Sequence, residues 1–457
     1  MALKIFNDKN RTMGLEAPFY IPEGIFEVTE NGTFNVSDYE YVKVLVETGN
    51  QPSQLSLHEK DSFFLSDEGV LWGTGEGRKY GQMGTGDLRD FIQFTPLITN
   101  VKTFQAPERS TWVLKKDGTL WGCGLGTYGQ QGDGFEGGGR WTENQYIIPF
   151  FAQRLTNVKS ISCSTHTTWA IKKDGTLWGC GRGDLGQQGS GENNHVDQFT
   201  QRMENVSKVA CSNEVTWALK KDGTLWGCGV NNYGQQGNGE RGGSVNEFTQ
   251  RMDNVKDIIL SISSFTTNYN DTSCSVTWVL KNDGTLWSCG LNEGYVQGFE
   301  GSSYALTFAQ RMSNVKTFNA GDSTSWILKN DGTLWSCGNA GYGVQGISYH
   351  TDVREFTQRI SDVKKVKCSG RTTWVIKNDN TLWGTGAGDY GMQGNDGNDD
   401  VYEFTQRLTD VKDVGCSRFT TFAVKKDGTL WGCGRGDYGQ QGNGETYNVY
   451  TFTQKTL

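Results

Sequence analysis

Hydrophobic and polar positions along this chain alternate with the two-residue period of β-strands, in short runs broken by glycine-rich turns. The clearest run is Trp169-Ala-Ile-Lys-Lys-Asp-Gly-Thr-Leu-Trp-Gly-Cys-Gly181, and versions of it recur eight times. Asp-Gly is a strong hairpin signal, because a two-residue type I′ turn needs positive φ at both positions. A turn at Asp174-Gly175 pairs Ile171 with Trp178 and Trp169 with Cys180. Side chains alternate across a strand, so this register puts Trp169, Ile171, Trp178 and Cys180 on one bulky face. Ala170, Leu177 and Gly179 form a shallow opposite face. Neither face is polar, so each hairpin has to be sandwiched, the large face of one copy against the shallow face of the next.

The other copies follow the same scheme. The hairpin's second strand carries Trp72, Trp121, Trp178, Trp226, Trp287, Trp335, Trp383 and Trp431. Its first strand carries Phe63, Trp112, Trp169, Trp217, Trp278, Trp326, Trp374 and Phe422. Fourteen of the 15 Trp residues are therefore expected in the core. A full unit adds Phe151-Ala-Gln-Arg and Asn157-Val-Lys-Ser-Ile-Ser-Cys before the hairpin and Gly-Gln-Gln-Gly after it. That makes four short extended segments, one propeller blade. Spacings between successive second-strand Trp residues are 49, 57, 48, 61, 48, 48 and 48. Insertions therefore fall near residues 135–148 and 261–273.

Residues 51–457 resemble the regulator of chromosome condensation repeat family, on motifs such as Asp427-Gly-Thr-Leu-Trp-Gly-Cys-Gly434 and Tyr438-Gly-Gln-Gln-Gly442. The resemblance implies an all-β, closed propeller. Eight four-stranded blades are counted here, whereas seven is usual in the family, so seven stays open. The last residues, 452–457, repeat the Phe-Thr-Gln element that the first copy lacks in front of its hairpin. They are expected to pair into the first blade and latch the ring.

Residues 1–50 hold none of the repeat. Phe26 to Val46 alternates strongly around Asn31-Gly32 and predicts a small β module. Thr29-Glu-Asn-Gly-Thr-Phe-Asn-Val36 followed by Tyr39-Glu-Tyr-Val-Lys-Val44 resembles segments of tail and baseplate proteins from phages of Gram-positive bacteria. A generic two-stranded cap is the other reading. The resemblance implies attachment to a phage tail or tail-like bacteriocin particle. The chain would be made in the bacterial cytoplasm and would end on a virion or similar particle. The propeller loops would then meet a bacterial surface protein or glycan.

Composition narrows the chemistry. A net charge of −8 argues against a nucleic-acid surface, which needs clustered Lys and Arg. No 18-residue apolar run is present, so no membrane insertion is expected. Eleven Cys fall at repeat positions: Cys163 and Cys180 would lie two strand spacings apart, too far for a disulfide. They are expected as buried free thiols, with no metal or other cofactor. Gly181-Arg-Gly-Asp-Leu-Gly186 matches a dinucleotide fingerprint but lacks the helix that would face a pyrophosphate. It is read as a turn, and Arg182-Gly-Asp184 as repeat drift. No nucleophile, acid or base cluster stands out, so a non-enzymatic binding or structural protein is expected. The alternative is an intracellular regulator that binds a protein such as a small GTPase.

Binding candidates come from what breaks the repeat. Arg140, Trp141 and Tyr146 sit in the first insertion, and Phe265 and Tyr269 in the second. They either form a recognition surface or cover a blade edge. Asp396, Asp399 and Asp400 are dense enough in carboxylate to be a weak Ca²⁺ candidate, without EF-hand spacing.

Overall fold

The computed structural model describes residues 52–135, 146–262, 274–321, 323–348 and 351–456, with five short strands before residue 46. Among those five, Leu3–Phe6 pairs with Thr12–Leu15 and with Lys43–Leu45, and Ile25–Val28 pairs with Gly32–Asn35. The rest is a β-propeller of eight four-stranded antiparallel sheets, each built from consecutive strands. The third blade is Val158–Cys163, Thr167–Lys172, Leu177–Gly181 and Val196–Met203, from the axis outward.

The hairpin register differs from the expected one by a single residue. Trp169 pairs with Gly179, Ala170 with Trp178 and Ile171 with Leu177. The cause is the turn. Asp174 Oδ1 accepts both the Thr176 N–H at 2.8 Å and the Thr176 hydroxyl at 2.7 Å. Only Gly175 takes positive φ, +93°, and Lys172 N–H reaches Thr176 O at 2.9 Å. The loop is thus three residues long, a type I turn closed by a left-handed glycine. A one-residue slip moves side chains to the other face, so the two Trp of a repeat lie on opposite faces.

Their fates differ accordingly. The first Trp (112, 169, 217, 278, 326, 374) is 0–1% exposed. The second is half-buried in seven blades, where the hairpin lysine lies over its ring, as Lys172 does over Trp178 at 3.7 Å. The Trp178 Nε1–H donates to Thr176 Oγ1 at 2.8 Å. Trp72 is the exception, buried and stacked on Phe64 at 5.8 Å. Core packing therefore describes the first Trp of each repeat. The second is a lysine-capped edge, held by a cation–π contact.

Blades are knit by aromatic pairs. Trp112 meets Phe199 of the next blade edge-on at 6.1 Å, Trp169 meets Phe248 at 5.9 Å, and the series runs on to Trp374 and Phe452 at 5.7 Å. The same Phe explains the last glycine of Gly-Gln-Gln-Gly: a Cβ on Gly132, at φ +64°, would come within 2.5 Å of the Phe199 ring. That loop also reaches the following blade through single β-bridges, such as Asp133 to Gln198 and Asn395 to Thr451.

The ring closes by this same contact, contrary to the latch expected at the C-terminus. Val449–Gln454 pairs with Leu430–Gly434 and is the outermost strand of the eighth blade. Phe91–Ile98 supplies that strand in the first. Phe94 of blade 1 meets Phe422 of blade 8 at 6.0 Å, and Gln93 bridges Asn443. Each blade is complete from one contiguous stretch, so no strand is left to exchange.

Innermost strands of successive blades touch around the axis. The hairpin turns lie on one face of the ring. The loops that follow the innermost and third strands lie on the other, called the loop face below.

Candidate functional site

The loop face is assembled by the Gly-x-Tyr-Gly turn of one blade and the first loop of the next. Six blades place a tyrosine at this position, Tyr80, Tyr128, Tyr233, Tyr342, Tyr390 and Tyr438, while blade 5 has Gly294 there and Tyr295 one residue later. Blade 3 has Leu185. At most of these junctions the residue just before the second strand of the next blade packs on the tyrosine. Arg109 lies over Tyr80 at 5.2 Å, His166 against Tyr128 at 4.9 Å, and Arg371 over Tyr342 at 4.8 Å. Phe419 meets Tyr390 at 5.3 Å and Lys60 lies over Tyr438 at 4.9 Å. A wheel of tyrosines interleaved with cations thus surrounds this face, richest on blades 6 to 8, 1 and 2.

Apart from blade 1, where Gln82 sends its amide to Glu76 O and Asp61 instead, the backbone beneath the wheel comes in two forms, and one residue decides between them. In blades 2, 3, 4 and 8 a glutamine follows the turn, and its Oε1 accepts the N–H of the wheel residue. Examples are Gln130 to Tyr128 at 2.7 Å and Gln440 to Tyr438 at 2.9 Å. Its amide reaches the next blade, as Gln440 Nε2 donates to Glu59 O at 3.2 Å. Blades 5, 6 and 7 have Val296, Val344 and Met392 there, all buried. Without the glutamine acceptor, the wheel residues Gly294, Tyr342 and Tyr390 take left-handed φ of 65°, 60° and 59°. Such a conformation is unusual for a bulky residue. Tyr342 and Tyr390 are 45% and 38% exposed.

The cations are largely neutralised within the chain. Arg371 pairs with Asp389, Arg435 with Asp437 at 2.6 Å, and Arg418 with Glu59 at 3.4 Å. Two concavities lie in this face. One, of about 160 Å³ between blades 1 and 2, is lined by His58, Lys60, Asp61, Glu76, Tyr80 and Arg109. Burial there would lower the His58 imidazole, yet Asp61, at 2.6 Å, and Glu108 together lift it above its ordinary value. The other, of about 470 Å³, lies between blades 7 and 8.

The residues singled out from sequence fall elsewhere. Arg140, Trp141, Phe265 and Tyr269 lie outside the described residues. Tyr146 is placed, and it is structural: its hydroxyl donates to Asp133 Oδ2 at 2.8 Å, and its ring covers Gly126 and meets Phe135 at 5.7 Å. Burial, then the bond to Asp133, pushes its phenol up to about 12. The carboxylates at 396, 399 and 400 do not converge. Asp400 Oδ1 accepts the Gly388 N–H at 3.0 Å, and Asp396 sits at φ +64° with its N–H on Tyr450 O. Among the described residues no group of three or more His, Cys, Asp or Glu is placed to hold a metal. Arg182 is 4% exposed and folded onto its own Asp184, which fits a turn. The ten described cysteines are free thiols. No helix among the described residues is long and apolar enough to cross a membrane.

Comparison with known proteins places the repeat. Residues 206–235 and 411–440 match the regulator of chromosome condensation (RCC1) repeat. These stretches lie in blades 4 and 8. A Caenorhabditis elegans X-linked retinitis pigmentosa GTPase regulator homolog is 29% identical over 155 residues, 32% of this chain and 10% of that one. The human regulator of chromosome condensation is 30% identical over 138 residues, 29% of this chain and 31% of that one. The match thus spans a third or less of either relative. Among solved structures, Prp20p from Saccharomyces cerevisiae, described with its binding properties to Gsp1p and histones, aligns with a TM-score of 0.54 at 16% identity. That alignment covers 75% of this chain and 87% of that one. Two stretches of the chain thus match the RCC1 repeat, and the chain shares the RCC1-like propeller fold.

Proposed function

We propose that the protein is a non-enzymatic binding propeller of the regulator type, holding a protein partner such as a small GTPase against its loop face. The tyrosine wheel carries this reading. Tyr and Arg are enriched among the residues that dominate protein–protein binding energy, and here they recur around one face while the hairpin face repeats Lys, Asp and Gly. Relatives named as a GTPase regulator homolog and a regulator of chromosome condensation support a partner of that kind. The reading expected from the N-terminal resemblance, a component of a phage tail or tail-like particle, depends on side chains in residues 1–50, outside those described. The relatives reported above lend it no support.

The test is direct. Purified protein is mixed with each small GTPase of the cell that makes it, loaded with a fluorescent nucleotide. A stable complex or faster nucleotide release, lost in Arg109→Ala, is expected. Neither binding nor release with any of them would remove the GTPase from this account.

A further inference from the structure

Each blade junction presents three equivalent loop-face positions. They are the wheel residue, the residue before the next blade's second strand, and the residue two before that blade's outermost-strand Phe. Between blades 3 and 4 these are Leu185, Glu214 and Asn246; between blades 7 and 8 they are Tyr390, Phe419 and Tyr450. Of the eight junctions, this is the one with aromatic rings at all three positions. Copies otherwise so alike have diverged here toward a common chemistry.

The three rings line the cleft of about 470 Å³, within the range of about 300–1,000 Å³ usual for small-molecule pockets. Tyr390 and Phe419 stand edge to face at 5.3 Å, 76° apart, and Tyr390 and Tyr450 are 38% and 37% exposed. The remaining lining is planar and polar. Asn448 spends its Oδ1 on the Gly436 N–H at 3.2 Å, which leaves its amide hydrogens to offer. Asn398 adds a second amide, and Arg371 and Asp389 add an ion pair that is already closed. Arg435 lies over both Tyr390 and Phe419 at 5.3 Å, so an intramolecular cation already faces those rings.

We propose that the cleft between blades 7 and 8 binds a neutral saccharide. Sugar rings have apolar C–H faces that rest on aromatic rings, and vicinal hydroxyls that match planar amide, guanidinium and carboxylate groups. The closed ion pair gives no net charge to draw in a phosphate, and Arg435 already occupies the cation–π position on Tyr390 and Phe419 that a cationic ligand would need. This goes beyond the protein-partner reading and does not rest on it.

The test uses the full chain with glucose, galactose, N-acetylglucosamine and their β1,4-linked disaccharides as probes. Binding is measured by saturation-transfer NMR and titration calorimetry. At least one probe is expected to bind with a millimolar or tighter dissociation constant. Phe419→Ala should weaken it by about tenfold or more, as loss of a central aromatic does in a binding site. Asn448→Asp retains the acceptor for Gly436 and should also weaken binding, which separates lost contact from lost folding. Lys159→Ala, beside the hairpin turns on the opposite face, should leave affinity within about twofold. The proposal is overturned if no probe binds, or if binding is indifferent to both cleft variants in proteins that melt as the wild type does.

Discussion

Blades 5 and 6 carry a polar triad that the other blades lack, and removing one atom from it gives a sharp test of how this propeller is held together. Ser336 on the third strand donates to Gln345 Oε1 at 2.6 Å and accepts from Arg359 Nε at 2.8 Å. Arg359 Nη2 also reaches Gln345 Oε1, at 3.1 Å. Ser288, Gln297 and Arg311 repeat the arrangement at 2.6, 2.8 and 3.1 Å. Elsewhere that strand position is glycine, and in blade 4 both Gln236 Oε1 and Arg251 Nε are buried with no protein partner. Ser336→Ala would leave Arg359 Nε unpaired, as Arg251 Nε is in blade 4. It deletes one neutral hydrogen bond, worth about 0.5–1.5 kcal/mol net, and one to a guanidinium, worth about 1.5–3 kcal/mol. Because Arg359 Nη2 keeps its hold on Gln345, the lower half of that sum applies, about 2–3 kcal/mol. A repeat protein opens locally, so the readout is hydrogen exchange in Leu334–Gly338 and Val353–Ile360, where protection should fall by roughly 30- to 150-fold. A change under about 0.5 kcal/mol would refute the triad as a source of stability.

Other outcomes follow from the same geometry. Trp217→Phe should be tolerated better than Trp217→Ala, because Phe63 and Phe422 fill the equivalent site in blades 1 and 8; the alanine should cost about 3–5 kcal/mol in denaturant titrations. Lys455, 4% exposed, stands where six other blades have arginine, and burial pulls its amine down to about 8. The unfolded chain then binds the extra proton between about pH 8 and the ordinary lysine value near 10.4, so stability should rise with pH across that window. Lys455→Met should flatten that rise. Third-strand thiols such as Cys180 and Cys337 are held far above their ordinary value by burial. They should react with a disulfide reagent at pH 8 only after unfolding, and early reaction would contradict their burial.

Blade number and repeat boundaries were legible because the unit recurs eight times with little drift, and the buried thiols because six of them share one third-strand position. The hairpin register was not, because Asp-Gly serves both two- and three-residue turns. The choice is made by Thr176, whose N–H and hydroxyl capture Asp174 in the type I form. Pairing of the C-terminal strand was not legible for a related reason: Phe452-Thr-Gln reads the same whichever sheet receives it. The eighth blade takes it because Phe91–Ile98 already fills the first. The loop-face site was not legible in the same way, because its residues lie in the regular turns while the insertions are the conspicuous breaks in the repeat. The signal was present in the exchange of Gln for Val296, Val344 and Met392, and in the triplet Tyr390, Phe419 and Tyr450.

The central claim is that the partner is held on the loop face. A photo-crosslinking amino acid placed at Tyr80 or Tyr438 on that face, and at Lys159 or Lys316 beside the hairpin turns, tests it most directly in the cell that makes the protein. The account predicts a discrete crosslinked partner from the first pair and none from the second. Crosslinks confined to the hairpin side would contradict it.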